Sequence, residues 1–381
     1  MNHRERVLAA LEHRASDRTP TDLGGSRTSS IHVQAYSKLA AKLGVAAPAP
    51  EIIDVMQQVV AVDPRIKDRL DVDIETVNPD APASFGNGSG EKRYTDEWGV
   101  VRRMPEGGYW FDLEKSPLAG PIDAADIARH PWPDPSDPAR YDGLREKVRG
   151  LRESSDRAIC LGLRGSVVHI SQFMRGFEDW YYDMALNPDL VAGLMDAILD
   201  VAIPIIDRTL ALTGDLIDIA FVGDDLGHQG GSQISPSAYR KVIKPRHAKV
   251  FEAIRKGAPN AYIALHSCGS VVELIDDLIE IGVQVLNPVQ VSAAGMDPRE
   301  LKRRWGDRLT FWGGIDTQRV LPFGSPEGVR AEVRERVRVL GEGGGYICAA
   351  VHNIQAEVPV ENIVALFEEG RKAEAVAAAA R

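Results

Sequence analysis

Cysteine is scarce. Three are scattered over 381 residues, and an odd, widely spaced set makes no disulfide framework. Long apolar runs are missing too: none approaches the roughly 20 residues that a membrane-spanning helix needs. Positive charge is in deficit, with 45 Lys and Arg against 55 Asp and Glu and a formal net charge of −10. That balance argues against nucleic acid as the main partner, because neutralising phosphates takes a basic face. No G-x-G-x-x-G turn follows any apolar run, which weighs against an open dinucleotide-binding sheet. The opening MNHRERVLAALEHRASDRTP has an apolar core of only Val7 to Leu11, closely flanked by charge. It reads as an amphipathic helix ending before Pro20 rather than an export signal. Together these absences predict a reduced, cytoplasmic protein.

What is present has a rhythm. From residue 158 onward, short β-branched runs alternate with longer helical patterns. The runs are AICLGL (158–163), IDIAFVG (217–223), AYIALH (261–266), VQVLN (283–287), RLTFWGG (308–314) and GYICAA (345–350), with DVDIETVN (71–78) as an earlier member. Strand, helix, strand, helix means parallel strands joined by crossover helices. With one or two strands unseen, the tally approaches eight. The expectation is an α/β fold, a (β/α)8 TIM barrel forming one domain over residues 1–381, with an N-terminal helical extension. Residues of about 80–140 break the rhythm. KRYTDEWGVVRRMPEGGYWFDLEKSPL turns on Gly107-Gly108 and predicts a β-hairpin or small antiparallel insertion. HPWPDPSDPARYDG predicts a surface linker, and the closing RKAEAVAAAAR a helix.

In such a barrel chemistry gathers at the carboxyl ends of the strands. The polar residues there are Arg164; Asp224 and Asp225; His266, Ser267 and Cys268; Asn287; Asp316 and Gln318; His352, Asn353 and Gln355. His266 and Cys268 form the sharpest pair, since residues i and i+2 of extended backbone point to one side. Zinc suits a nitrogen and sulfur donor set, and three protein ligands leave a fourth position open, the mark of a catalytic zinc. His352 and Cys348 are the candidates for a third ligand. His352, on the loop beyond the last strand, is preferred, because Cys348 within it reads as a small buried hydrophobe. Cys160 reads as core, and His228 as either a ligand or a solvent-facing loop residue. Asp224 and Asp225 can orient a metal-bound histidine, act as acid or base, or bind a substrate cation; alternatively one caps the following turn. Arg164 can clamp a substrate carboxylate or pair with one of these aspartates. Asn287, Asp316, Gln318 and Asn353 are read as substrate-binding.

GDDLGHQGGSQISPSAYRKVIKPRHAKVFEAI, LHSCGSV, LNPVQVSAAGM, LTFWGGIDTQ and GGGYICAAVHNIQAEVPVENI resemble the uroporphyrinogen decarboxylase superfamily, as does the opening RERVLAALEHRASDRTP. The resemblance covers nearly the whole chain and is weakest at about 80–140. It implies a (β/α)8 barrel with its pocket at the carboxyl end. One branch, the metal-free decarboxylases of haem synthesis, carries an arginine-rich stretch like RQAGRY for the porphyrinogen carboxylates. The matching DRTPTDLGGSRTSSIHVQAY keeps Arg27 as a substrate-binding residue but lacks the paired arginines. The other branch comprises cobalamin-linked methyltransferases with a zinc site of His-x-Cys and a later cysteine. By resemblance His266 and Cys268 match the first two ligands, and His352 stands where the third belongs. In the decarboxylases a histidine in that place binds substrate, which leaves Cys348 as the fallback ligand.

The resemblance to the second branch implies a zinc-dependent methyltransferase working on a small molecule. The corrinoid (cobalamin) would sit on a separate protein, because the D-x-H-x-x-G cobalamin signature is absent and Leu226 occupies its aspartate position before His228. A porphyrinogen decarboxylase and a non-catalytic barrel binding a small ligand or a corrinoid protein are the alternatives. Related barrels also pair, so a homodimer belongs among the expectations.

Overall fold

A computed structural model describes residues 1–46, 49–82 and 92–372. Seven parallel strands form its central sheet: β1 (Ile74–Val77), β2 (Ala158–Gly162), β3 (Ile219–Gly223), β4 (Tyr262–His266), β5 (Val285–Asn287), β6 (Thr310–Ile315) and β7 (Tyr346–Ala350). Each pairs with its sequence neighbour, so the sheet curls in chain order. Helices cross over between the later strands, among them Pro188–Thr213, Lys244–Gly257, Pro298–Trp305 and Pro326–Leu340. This is the expected TIM-barrel architecture, and each of the seven apolar runs supplies a strand.

The eighth position is filled by almost no strand at all. Thr21 makes a single parallel bridge to Cys348. Cys348 N–H donates to Pro20 O at 2.8 Å, and Asp22 N–H to Cys348 O at 3.0 Å. On the other side Asp73 N–H, just before β1, donates to Thr21 O at 2.9 Å. The segment therefore links β7 to β1. One paired residue between a proline and two glycines leaves no periodic apolar signal, which is why the sequence does not show it.

Strand alternation divides the core into two. Ile347 and Ala349 of β7 face the barrel interior with Cys160, Phe221, Ala264, Val285 and Trp312, whereas Cys348 and Ala350 pack outward beneath the helices. The N-terminal helix His3–Leu11 belongs to the inner cluster through Val7 and Leu11. Both are buried, each stabilising by roughly 1.5–3 kcal/mol. Arg6 reinforces the placement, donating to Asp73 Oδ1 at 2.6 Å beside the start of β1. The helix thus plugs the amino-terminal end of the barrel and leaves the carboxyl end open.

The residues around 80–140 form a three-stranded antiparallel sheet, Arg93–Thr95, Val101–Arg103 and Asp112–Lys115, one strand more than a hairpin. Gly107 makes the turn at φ +71°. The proline-rich stretch after it runs mostly over the surface into the helix Leu144–Ser154, pinned by buried Arg140 and Tyr141, with Arg140 paired to Glu97 of the insertion. A second small sheet, Ile31–His32, Ile52–Asp54 and Val59–Val60, gives no sequence signal because its strands are two or three residues long. The expected C-terminal helix falls on 371–381, of which 373–381 lie outside the described residues. Among the described residues no helix is long and apolar enough to cross a membrane.

Candidate metal centre

His266 ends β4 and sits level with Gly223 of β3 and Asn287 of β5. The register fixes its chemistry. His266 Nδ1 donates to Asn287 Oδ1 at 2.6 Å, which leaves the Nε2 lone pair free to face a ligand. Cys268 follows, its Sγ 3.4 Å from that Nε2. Gly269 then turns the chain at φ +81°, pressed so closely on the Gly227–His228 backbone that a Cβ would stand 2.3 Å from Gly227 C. The Cys268 N–H donates to Asp225 Oδ1 at 2.8 Å and holds the thiol in place.

His352 comes from the loop after β7, its ring centroid 5.4 Å from that of His266. Ligand atoms of His266, Cys268 and His352 all lie within 4.8 Å of one another. Zinc–nitrogen bonds of about 2.0–2.1 Å and a zinc–sulfur bond of about 2.3 Å put neighbouring donors about 3.5 Å apart in a tetrahedron. The 3.4 Å between Nε2 and Sγ matches such an edge. The donor set therefore fits a zinc ion. Burial lowers the pKa of His266, and burial and then repulsion from His266 push His352 down to about 4, so both imidazoles are neutral at physiological pH, as a metal ligand must be. Burial, with Asp225 adding to it, raises the Cys268 thiol above its ordinary value; a cation offsets that cost.

The adjacent aspartates part company. Asp224 is buried and accepts from Ser166 Oγ, from the N–H groups of Val167, Val168 and His169, and from His247 Nε2 at 3.0 Å. Burial alone would raise its carboxyl, but the bonds from His247 and the amides outweigh it and hold the pKa below the ordinary range. Those bonds cap the helix Val168–Arg175. Asp225 turns its carboxylate toward the donor set and the cavity it lines, its Oδ1 3.8 Å from His266 Nε2.

A cavity of about 1080 Å³ opens above the centre and is lined by His266, His352 and Asp225. Arg164 lines it but is bound to Glu97, not to an aspartate. Arg27 lines it too, and its guanidinium has no hydrogen-bond partner among the described residues. Asn287 acts behind His266. Asp316, Gln318 and Asn353 do not line the cavity. Asp316 accepts from the N–H groups of Gln318 and Arg319 and caps a turn, and Gln318 is exposed. Asn353 accepts from Ser30 N–H and donates to Gln57, tying down the N-terminal segment. Cys348 is buried beneath the helices and Cys160 in the inner core. His228 is exposed, its Nδ1 accepting from Gly230 N–H. Sequence reasoning passed over His169, Asn78, Asp54, Tyr94, Glu97 and Trp98, which also line the cavity. Asn78 was within reach, since it directly follows β1.

The uroporphyrinogen decarboxylase (URO-D) family model matches residues 111–373, more than half of the chain. A uroporphyrinogen decarboxylase of Alkalilimnicola ehrlichii is 25% identical over 380 residues, covering 96% of this chain and 92% of its own. The methylcobamide:CoM methyltransferase MtaA of Methanosarcina barkeri is 27% identical over 233 residues, covering 60% of this chain and 62% of its own. A solved methyltransferase from Methanosarcina mazei shares the fold with a TM-score of 0.65 at 18% identity, covering 98% of this chain and 99% of its own. On the family match, this chain is a member of the uroporphyrinogen decarboxylase family.

Proposed function

We propose that the protein is a cytoplasmic, zinc-dependent methyltransferase moving a methyl group between a small methylated or thiol substrate and a corrinoid carried by a separate protein. One observation carries this reading: His266, Cys268 and His352 gather two nitrogens and one sulfur, all within 4.8 Å, beneath a cavity. A zinc ion held by this set supplies a Lewis acid that lowers the pKa of a thiol or polarises a methylated donor. Asn287 fixes the ligand face of His266, and Asp225 secures the Cys268 loop from the cavity side. Arg27 offers an unpaired guanidinium to an anionic group of the substrate. Phe173 and Phe221 give the floor apolar walls that exclude water.

Porphyrinogen decarboxylation is the second reading, favoured by the long match to the A. ehrlichii enzyme. The cavity argues against it. Its lining cations are Arg27, Arg102, Lys147 and Arg164, and Arg102 and Arg164 are paired with Asp96 and Glu97. Glu51, Asp54, Asp80 and Asp225 add further negative charge. A substrate with eight carboxylates would meet repulsion there. The test is to incubate zinc-loaded protein with methylcobalamin and 2-mercaptoethanol, and separately with uroporphyrinogen. Demethylation of the corrinoid that disappears in Cys268→Ala is expected; metal-independent loss of carbon dioxide from uroporphyrinogen would reverse the choice.

A further inference from the structure

One imidazole facing the cavity belongs to no donor set. His169 is half-buried near the start of the helix Val168–Arg175 and lines the cavity. Its own N–H donates to Asp224 Oδ1 at 2.7 Å, so the helix cap fixes its position. The ring stacks on Phe173, centroids 4.5 Å apart and planes 20° apart. Arg102 in turn lies 4.0 Å from the Phe173 centroid. His169 Nδ1 stands 3.8 Å from Asp225 Oδ2. The other oxygen of that carboxylate accepts from Cys268 N–H and lies 3.8 Å from His266 Nε2. A single carboxylate therefore faces the donor set with one oxygen and His169 with the other. Among the described residues, His169 Nε2 has no hydrogen-bond partner.

We propose that His169, with Asp225 behind it, is the catalytic residue that exchanges a proton with the reacting heteroatom of the substrate; this rests on the methyl-transfer reading above. Methyl transfer between a neutral X–CH3 and X–H requires such an exchange. When X–CH3 gives its methyl to a reduced corrinoid, the C–X bond breaks and its electron pair stays on X. The new carbon–cobalt bond takes its pair from the Co(I) corrinoid, which is formally oxidised to Co(III). X then takes the proton of His169 Nε2. In the other direction X–H loses its proton to Nε2 as X attacks the methyl, and the carbon–cobalt pair returns to the corrinoid. The Asp225 carboxylate, 3.8 Å from Nδ1, stabilises the imidazolium by its charge in both directions.

The test compares two acceptors. Zinc-loaded wild type and His169→Gln are given methylcobalamin with 2-mercaptoethanol or with thiophenol, which is already largely ionised near neutral pH and needs no base. His169→Gln is expected to slow the alkyl thiol about 10²–10⁴-fold and the aryl thiol far less. Zinc content, measured beside the rates, needs no turnover and is expected to be unchanged in His169→Gln and His169→Asn. Equal slowing with both thiols overturns the assignment, as does loss of zinc from both variants. Wild type inert with both thiols overturns the methyl-transfer reading and this inference with it.

Discussion

The floor of the cavity and its wall are built by different means. The floor is strand-end chemistry: His266 and Asn287 are adjacent in register on β4 and β5, Asp225 follows β3 and His352 follows β7. The wall comes from short antiparallel pieces and loops, with Asp54, Tyr94, Glu97 and Trp98 from the two small sheets and Arg27 from the segment after Asp22. On the floor each side chain is placed by a hydrogen-bonded register that a sequence pattern can reveal. On the wall the placement depends on contacts between distant segments, such as Glu97 joining Arg140 to Arg164.

The sharpest way to break this comparison is to remove the sulfur. Cys268→Ser should weaken zinc binding about a thousandfold, or ~4 kcal/mol, and leave the melting temperature of the metal-free protein nearly unchanged. Metal titration against a chelator, beside thermal melting, checks it. Unchanged zinc affinity with a lowered melting point would make the thiol a core residue.

The next effect separates two neighbours on the floor itself. Asp224→Ala strands His247 and the amino end of a helix, and should cost about 3 kcal/mol in urea unfolding. Asp225→Asn keeps its backbone contact and should cost less than about 1 kcal/mol. Equal costs would dissolve the division between a capping carboxylate and one that serves the cavity.

On the wall side, Asp22 anchors the segment that carries Arg27, accepting from Trp312 Nε1 at 3.0 Å and Gly25 N–H at 2.7 Å. Burial raises its pKa to about 6, so between pH 4 and 6 the folded state holds a proton that the unfolded state has released. Stability contributed by this group is present below pH 4 and falls as pH rises to 6, by on the order of 2–3 kcal/mol. Asp22→Asn should remove that slope in paired urea titrations at pH 4 and 6.5; an unchanged slope would assign it to other groups. The smallest effect belongs to the residue behind the floor. Asn287→Ala should lower zinc affinity by about tenfold, ~1.4 kcal/mol, without changing zinc stoichiometry.

Legibility followed the same division. Seven strands carry β-branched runs long enough to read, and so do the residues at their ends. The eighth position was hidden because one bridged residue, Thr21, has no period. His266 and Cys268 were legible because extended backbone puts i and i+2 on one side. Asp316 and Gln318 occupy an equally promising strand end, yet Asp316 turns its carboxylate onto its own loop. Sequence shows that a polar residue ends a strand; it does not show whether the following turn consumes its oxygens. His169 was passed over because its helix begins several residues after β2, and only the cap by Asp224 brings it to the cavity.

X-ray absorption at the zinc edge of the purified protein tests the centre most directly. Near-stoichiometric zinc is expected, with one sulfur at about 2.3 Å and nitrogen or oxygen neighbours at about 2.0–2.1 Å, the sulfur lost in Cys268→Ser. A zinc shell without sulfur in the unaltered protein would contradict it.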